Sequence, residues 1–123
     1  MNKNEEITEN IKDAVLEGIK KIKGMDITII DLNTIKYTEC GYFIICHGNS
    51  STQVSSIAES VEKNVEETTG EKVLHAEGYK NSIWILLDFG DIIVHIFDKQ
   101  TRYFYNLESL WSDATITKAI SEN

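Results

Sequence analysis

The side chains with which this sequence could do chemistry are three histidines, two cysteines and a scatter of carboxylates. Their spacing argues against most of the usual uses. His47, His75 and His95 never fall at the close pairs a zinc site takes, and Cys40 and Cys46 lack the Cys-x-x-Cys spacing, so no metal centre is expected. Cys46 and His47 are adjacent, but neighbours on a strand point to opposite faces, which keeps the imidazole from taking the thiol proton. His95 lies between Val94 and Ile96, where a lone histidine is a hydrogen-bonded structural residue or part of an interface before it is a catalyst. Asp88 and Asp91 are the best carboxylate pair, yet their spacing is poor for holding magnesium. Gly48-Asn49-Ser50-Ser51 stands between an apolar run and a helical one, where helix amides bind anions, but no GxxxxGK[ST] or GxGxxG accompanies it. Asp31 is followed by Leu32 and Asn33, with no second acid to complete the Asp-x-Asp that aims two carboxylates one way. No catalytic residue and no cofactor are therefore expected.

The elements that would carry these residues follow from periodicity. From Ile7 the apolar positions Ile11, Ala14, Val15, Ile19 and Ile22 draw one helical stripe that stops at Gly24. The β-branched run Ile27 to Leu32 predicts a strand, and Tyr42 to His47, set between Gly41 and Gly48, a second. Ser50 and Gln53 have capping-box spacing and open a helix with Val54, Ile57, Ala58, Val61 and Val65 on one face, ending at Gly70. Lys72 to Glu77 predicts a weaker strand. Ile83 to Asp88 and Ile92 to Phe97 predict an antiparallel hairpin around Phe89-Gly90-Asp91. Tyr103, Leu107, Leu110 and Trp111 have the spacing of a short helix packing back on the body, with order fading after Ser112. The expectation is an α/β fold: a single mixed five-stranded sheet, two main helices and a short C-terminal helix.

With 123 residues the chain is read as one domain, 1–123, with an ordered core over 5–113. Its start is too polar for a signal peptide, and no apolar run approaches the roughly 18 residues that span a bilayer, so a cytoplasmic protein with reduced thiols and no membrane partner is expected. The net charge of −8 disfavours a phosphate-gripping surface, hence no direct nucleic-acid recognition, and suits a basic protein surface, although acidity also serves solubility.

The hairpin is apolar on both faces: Trp84 and Leu86 point one way, Ile83, Ile85 and Leu87 the other. Two helices and a short tail cover one face of a five-stranded sheet well. The second is left to the C-terminal aromatics or to a partner.

Taken in order, Asp26-Ile27, Tyr42-Phe43-Ile44-Ile45-Cys46, Gly48-Asn49-Ser50-Ser51, Gln53-Val54 and Ile57-Ala58 resemble the first half of the Iojap family of ribosomal silencing factors. The second half is more similar still. It reads His75, Glu77-Gly78, Trp84-Ile85-Leu86-Leu87-Asp88, Gly90 to Phe97, Arg102, Tyr105, Leu107-Glu108 and Leu110-Trp111. The resemblance spans Ile7 to Asp113. It implies a nucleotidyltransferase-like fold without the transferase active site, and a protein that is not an enzyme. It also implies binding to the large ribosomal subunit through its fourteenth ribosomal protein, blocking subunit joining and repressing translation under nutrient limitation. Gly41, His47 and Thr52 depart from the family pattern, which usually has Asp, Ser or Thr, and Arg there. On this resemblance the partner contacts would be Trp84 as an aromatic anchor, Asp88 and Asp91 facing basic protein, and His95 and Tyr105 beside them. Each has a plainer use: Trp84 as core, the aspartates as shapers of the turn. A magnesium-dependent nucleotidyltransferase and a structural module that forms a homodimer when free are the alternatives.

Overall fold

The computed structural model describes residues 2–35, 38 and 40–119. In chain order the elements are α1 (Lys3–Lys21), β1 (Met25–Asp31), β2 (Tyr42–Gly48), α2 (Ser51–Thr69), β3 (His75–Glu77), β4 (Trp84–Asp88), β5 (Ile92–Asp98), α3 (Lys99–Tyr105), α4 (Leu107–Leu110) and β6 (Thr115–Lys118). The strands form a single sheet in the order β3-β4-β5-β2-β1-β6. Among the described residues only the central β2–β5 pair is parallel, the remaining pairs being antiparallel.

Both long helices lie on one face of the sheet. Their stripes bury Ile11, Ala14, Val15 and Ile19 from α1 and Val54, Ile57, Ala58, Val61 and Val65 from α2, over Ile44, Cys46, Ile85, Leu87, Val94 and Ile96. The helices approach closely at Gly18, where a Cβ would lie 2.9 Å from the Val61 Cα. Polar groups fasten the same crossing: Ser60 Oγ donates to the Gly18 carbonyl and Asn64 Nδ2 to the Ala14 carbonyl, each at 2.8 Å. Helix α1 starts earlier than its apolar stripe, because the Asn2 side chain caps it by accepting from the Glu5 amide. Helix α2 begins as its capping residues predict: Ser50 Oγ accepts from Gln53 N, and Gln53 Oε1 reaches back to the Asn49 amide.

The expected count of five strands is corrected to six among the described residues. Thr115–Lys118 lies beyond Ser112, where order was expected to fade, and pairs with β1 from Asp31↔Thr115 to Thr28↔Lys118. All four residues are exposed, so the strand has no apolar face to announce it. It is held by backbone pairing and by Lys118 Nζ, 2.9 Å from both Asp26 Oδ1 and Thr28 Oγ1. The Lys118 hydrogen bond and the nearby Arg102 charge hold the Asp26 carboxyl below its usual range.

The expected single C-terminal helix is two pieces, α3 and α4, broken where Asn106 adopts φ 47°. That break rotates the second piece. Leu107 and Trp111 pack on the body as predicted, but Tyr103 and Leu110 are exposed. Among the described residues no helix is long and apolar enough to cross a membrane.

Candidate functional site

The sheet face opposite the helices carries a second, smaller cluster of Ile30, Leu32, Cys40, Ile45 and Phe97, roofed in part by Leu107, Trp111 and Ala114. The roof stops short of the hairpin. Along β4 burial alternates, with Ile85 and Leu87 sealed under the helices and Trp84, Leu86 and Asp88 half-buried on the other side. Ile93 and Phe43 are half-buried neighbours on that side. The adjoining segments carry exposed apolar side chains: Phe104 at 81%, Leu110 at 71% and Tyr103 at 62% in α3 and α4, and Ile83 at 47% just before β4.

Trp84 is built into this face. Its ring lies 4.8 Å from Tyr105 and 4.9 Å from Phe97, centroid to centroid, and its Nε1 donates to His95 Nδ1 at 3.1 Å. The donor fixes the histidine tautomer, since Nδ1 must accept and the proton of the neutral ring then sits on Nε2. Phe43 meets His95 edge-on at 4.8 Å and Trp111 edge-on at 5.7 Å. His95 is 5% exposed, its Nε2 has no hydrogen-bond partner among the described residues, and burial pushes its pKa down to about 4. The ring is neutral near pH 7.

Of the residues expected to make contacts, Trp84, His95 and Tyr105 are therefore brought together. Asp88 shares the Trp84 face of β4 but stands at the far end of the strand, where its Oδ1 accepts from the Gly90 amide at 2.7 Å and secures the turn. Gly90 takes the φ of 94° that the reversal needs. Asp91 lies apart. Its carbonyl accepts from the Gly41 and Tyr42 amides, and its carboxylate faces a polar cleft lined by Asn2, Glu5, Glu9, Asn33 and Tyr42. A Cβ at Gly41 would stand 2.8 Å from oxygens of both Asp91 and Asn33, so a larger residue here would displace that carboxylate.

The weaker chemical signals resolve as structure. Cys46 is fully buried in the helix-side core, with its thiol pushed up to about 12 by desolvation, while His47 lies on the opposite face against Arg102 at 3.0 Å. In the Gly48–Ser51 turn the Asn49 amide is taken by the Gln53 side chain, and the Gln53 amide beyond it by Ser50 Oγ, so part of the donor set an anion would use is occupied by the chain itself. Asp31 Oδ1 accepts from the backbone and side chain of Asn33. Among the described residues no group of three or more His, Cys, Asp or Glu side chains could hold a metal.

Arg102 was missed as a site residue: it heads the fully buried side chains by size. A lone arginine among aromatics carries no periodic signal of burial, because arginine is ordinarily exposed. Phe104, 81% exposed, was also missed, because the spacing Tyr103, Leu107, Leu110 and Trp111 leaves it out of the helical stripe.

Residues 4–123 match the family model described as ribosomal silencing factor during starvation. The Bacillus subtilis ribosomal silencing factor RsfS is 43% identical over 91 residues, covering 74% of this chain and 75% of that one. The chloroplastic protein Iojap of Zea mays is 35% identical over 102 residues, covering 83% of this chain and 43% of its own. A crystal structure of a Chromobacterium violaceum protein superposes with a TM-score of 0.80 at 28% identity, covering 94% of this chain and 95% of that one. Matched over residues 4–123, the chain belongs to the ribosomal silencing factor family, a family of regulatory proteins.

Proposed function

We propose that this protein is a cytoplasmic anti-association factor: it binds the large ribosomal subunit at the intersubunit face through the fourteenth large-subunit ribosomal protein, and its bulk keeps the small subunit from joining. Translation is thereby repressed when nutrients are scarce. The observation that carries this reading is the incompletely roofed aromatic face, with Trp84, Leu86 and Ile93 half-buried and Tyr105, Phe104 and Leu110 exposed in the adjoining α3 and α4. Contiguous apolar surface centred on a tryptophan is the ordinary core of a protein interface. The net charge of −8 suits a basic ribosomal protein as the partner. Exclusion of the small subunit needs affinity and bulk but no chemical step.

In this reading Trp84, Tyr105 and His95 form the centre of the contact, Asp88 its acidic margin, and Asp91 a more distant acid. We read the frame as nucleotidyltransferase-like, and Gln53, which takes the Asn49 amide of the Gly48–Ser51 turn and donates to the Lys23 carbonyl, supports a role without catalysis. Purified subunits mixed with this protein are expected to stay separate on a sucrose gradient, and joining that proceeds undiminished while the protein is docked would refute the mechanism. Asp91→Lys is expected to weaken binding less than Asp88→Lys; binding unchanged by the former removes Asp91 from the contact set. A homodimer of the free protein would use the same aromatic face, so large subunits are expected to dissociate any dimer seen by light scattering.

A further inference from the structure

Helix α3 is built the wrong way round for a helix lying on a protein body. Of its seven residues Arg102 alone is buried, while the three aromatics that follow stay exposed in large part, Tyr103 at 62%, Phe104 at 81% and Tyr105 at 48%. Tyr105 packs on Trp84 at 4.8 Å yet stays half exposed, and α4 contributes no fully buried residue, Leu107 being only partly buried against the second cluster. Hydrophobic burial, the usual reason a short helix sits down, is therefore slight. What seats α3 is the guanidinium. Arg102 donates from one terminal nitrogen to Thr28 Oγ1 at 3.0 Å and from the other to the Met25 carbonyl at 3.4 Å, the latter nitrogen lying 3.0 Å from His47 Nδ1. Its Nε is 3.6 Å from Glu108 and its charge 3.9 Å from Asp26. These partners belong to β1, β2 and α4, so one side chain ties three elements beneath the aromatic face.

We propose that Arg102 is the positioning residue of the docking face: it fixes α3 from below so that Phe104 and Tyr105 stand outward as one aromatic ridge against the large subunit. This rests on the docking reading above. The ridge is continuous with the centre of that face, because Phe104 meets Tyr105 edge-on at 5.1 Å and Tyr105 lies 4.8 Å from Trp84. Lysine cannot replace the arginine, since a point charge on a flexible stem reaches one acceptor well where the planar fork reaches several. His47 takes part as a neutral ring, its pKa lowered by burial and by the Arg102 charge.

The test is a double-mutant cycle on the whole protein. Arg102→Lys and Phe104→Ala are each expected to weaken binding to isolated large subunits about tenfold. The double variant is expected to weaken it no further, because a ridge that is no longer held out has little left for Phe104 to contribute. Independent, multiplying losses would overturn the proposal, as would wild-type affinity in Arg102→Lys. Hydrogen exchange of the free protein gives a second reading: Arg102→Lys should speed exchange over residues 99–111 and leave α1 and α2 protected, and unchanged exchange there would also overturn it. If Arg102→Lys fails to fold, Thr28→Val removes one acceptor at nearly constant shape and runs the same cycle with the same two outcomes. Absence of binding by the wild-type chain would refute the docking reading, while the exchange experiment would still decide whether Arg102 holds the ridge.

Discussion

His95 makes the stability of this fold depend on mild acid in a way that can be calculated. The ring is 5% exposed, receives the Trp84 indole proton on Nδ1, and has its pKa depressed from 6.5 to about 4 by desolvation. In the unfolded chain the same histidine protonates as pH falls below 6.5, so between the two values the unfolded state binds more protons and stability falls with pH. The contribution is fully present above about pH 7 and is lost progressively down to about pH 4. Linkage over that shift gives a loss of about 2 kcal/mol on going from about pH 7.5 to about pH 5. For a chain of this size that corresponds to a fall in Tm of roughly 6–10 °C. His47, also depressed, adds a loss of the same sign. The assay isolates His95 by comparing urea unfolding of the wild type and His95→Phe across this range. The variant leaves the Trp84 indole unpaired at a cost of about 1–3 kcal/mol, but that cost does not vary with pH. Its pH dependence should be shallower than that of the wild type by about 2 kcal/mol over the same interval. Parallel curves for the two proteins would refute the assignment of a neutral, buried His95.

Three further outcomes are expected. Gly18→Val drives a side chain into the Val61 backbone and should destabilise the fold by about 1–3 kcal/mol, read as a lowered urea midpoint with unchanged slope. Cys46, sealed in the core with its thiol pushed up to about 12, should resist a thiol reagent near pH 8 in native protein and react fully in denaturant. Removal of the chain beyond residue 113 uncovers the β1 edge and should produce concentration-dependent association in light scattering, whereas a monomer indistinguishable from the full chain would show that β6 does not guard that edge.

The parts of this fold legible in the sequence are those where burial repeats. The α1 and α2 stripes, the Ser50–Gln53 cap and the hairpin around Gly90 all follow from period and turn chemistry, because each is local. Strand β6 was illegible because it packs no side chain inward and is held by pairing to a distant strand. Tyr103 and Leu110 were read as inward because a single helix was assumed through Asn106, whose left-handed conformation resets the phase. Trp84, His95 and Tyr105 were identified as residues, but not their mutual hydrogen bond and stacking, which depend on the Leu86↔His95 register and on α3 folding back. The aspartates at the hairpin end look equivalent in sequence, yet one closes its own turn and the other faces α1. Arg102 lay beyond reach because its burial is set by three elements that are separate in the chain.

The parallel pairing of β2 with β5 also sets the order in which the molecule can assemble. Tyr42 must find Ile92, with α2, β3 and β4 threaded between them, so the central seam cannot close until that whole excursion is in place. The β4–β5 hairpin is local and forms on a microsecond scale, whereas long-range parallel pairing is slow because loop closure costs entropy before any contact repays it. During synthesis the first half therefore emerges with one flank of β2 open, an exposed run of Phe43, Ile44 and Ile45 that only the second half can cover. The seam that joins the two halves of the sheet is also the interval in which a nascent chain is most exposed to aggregation.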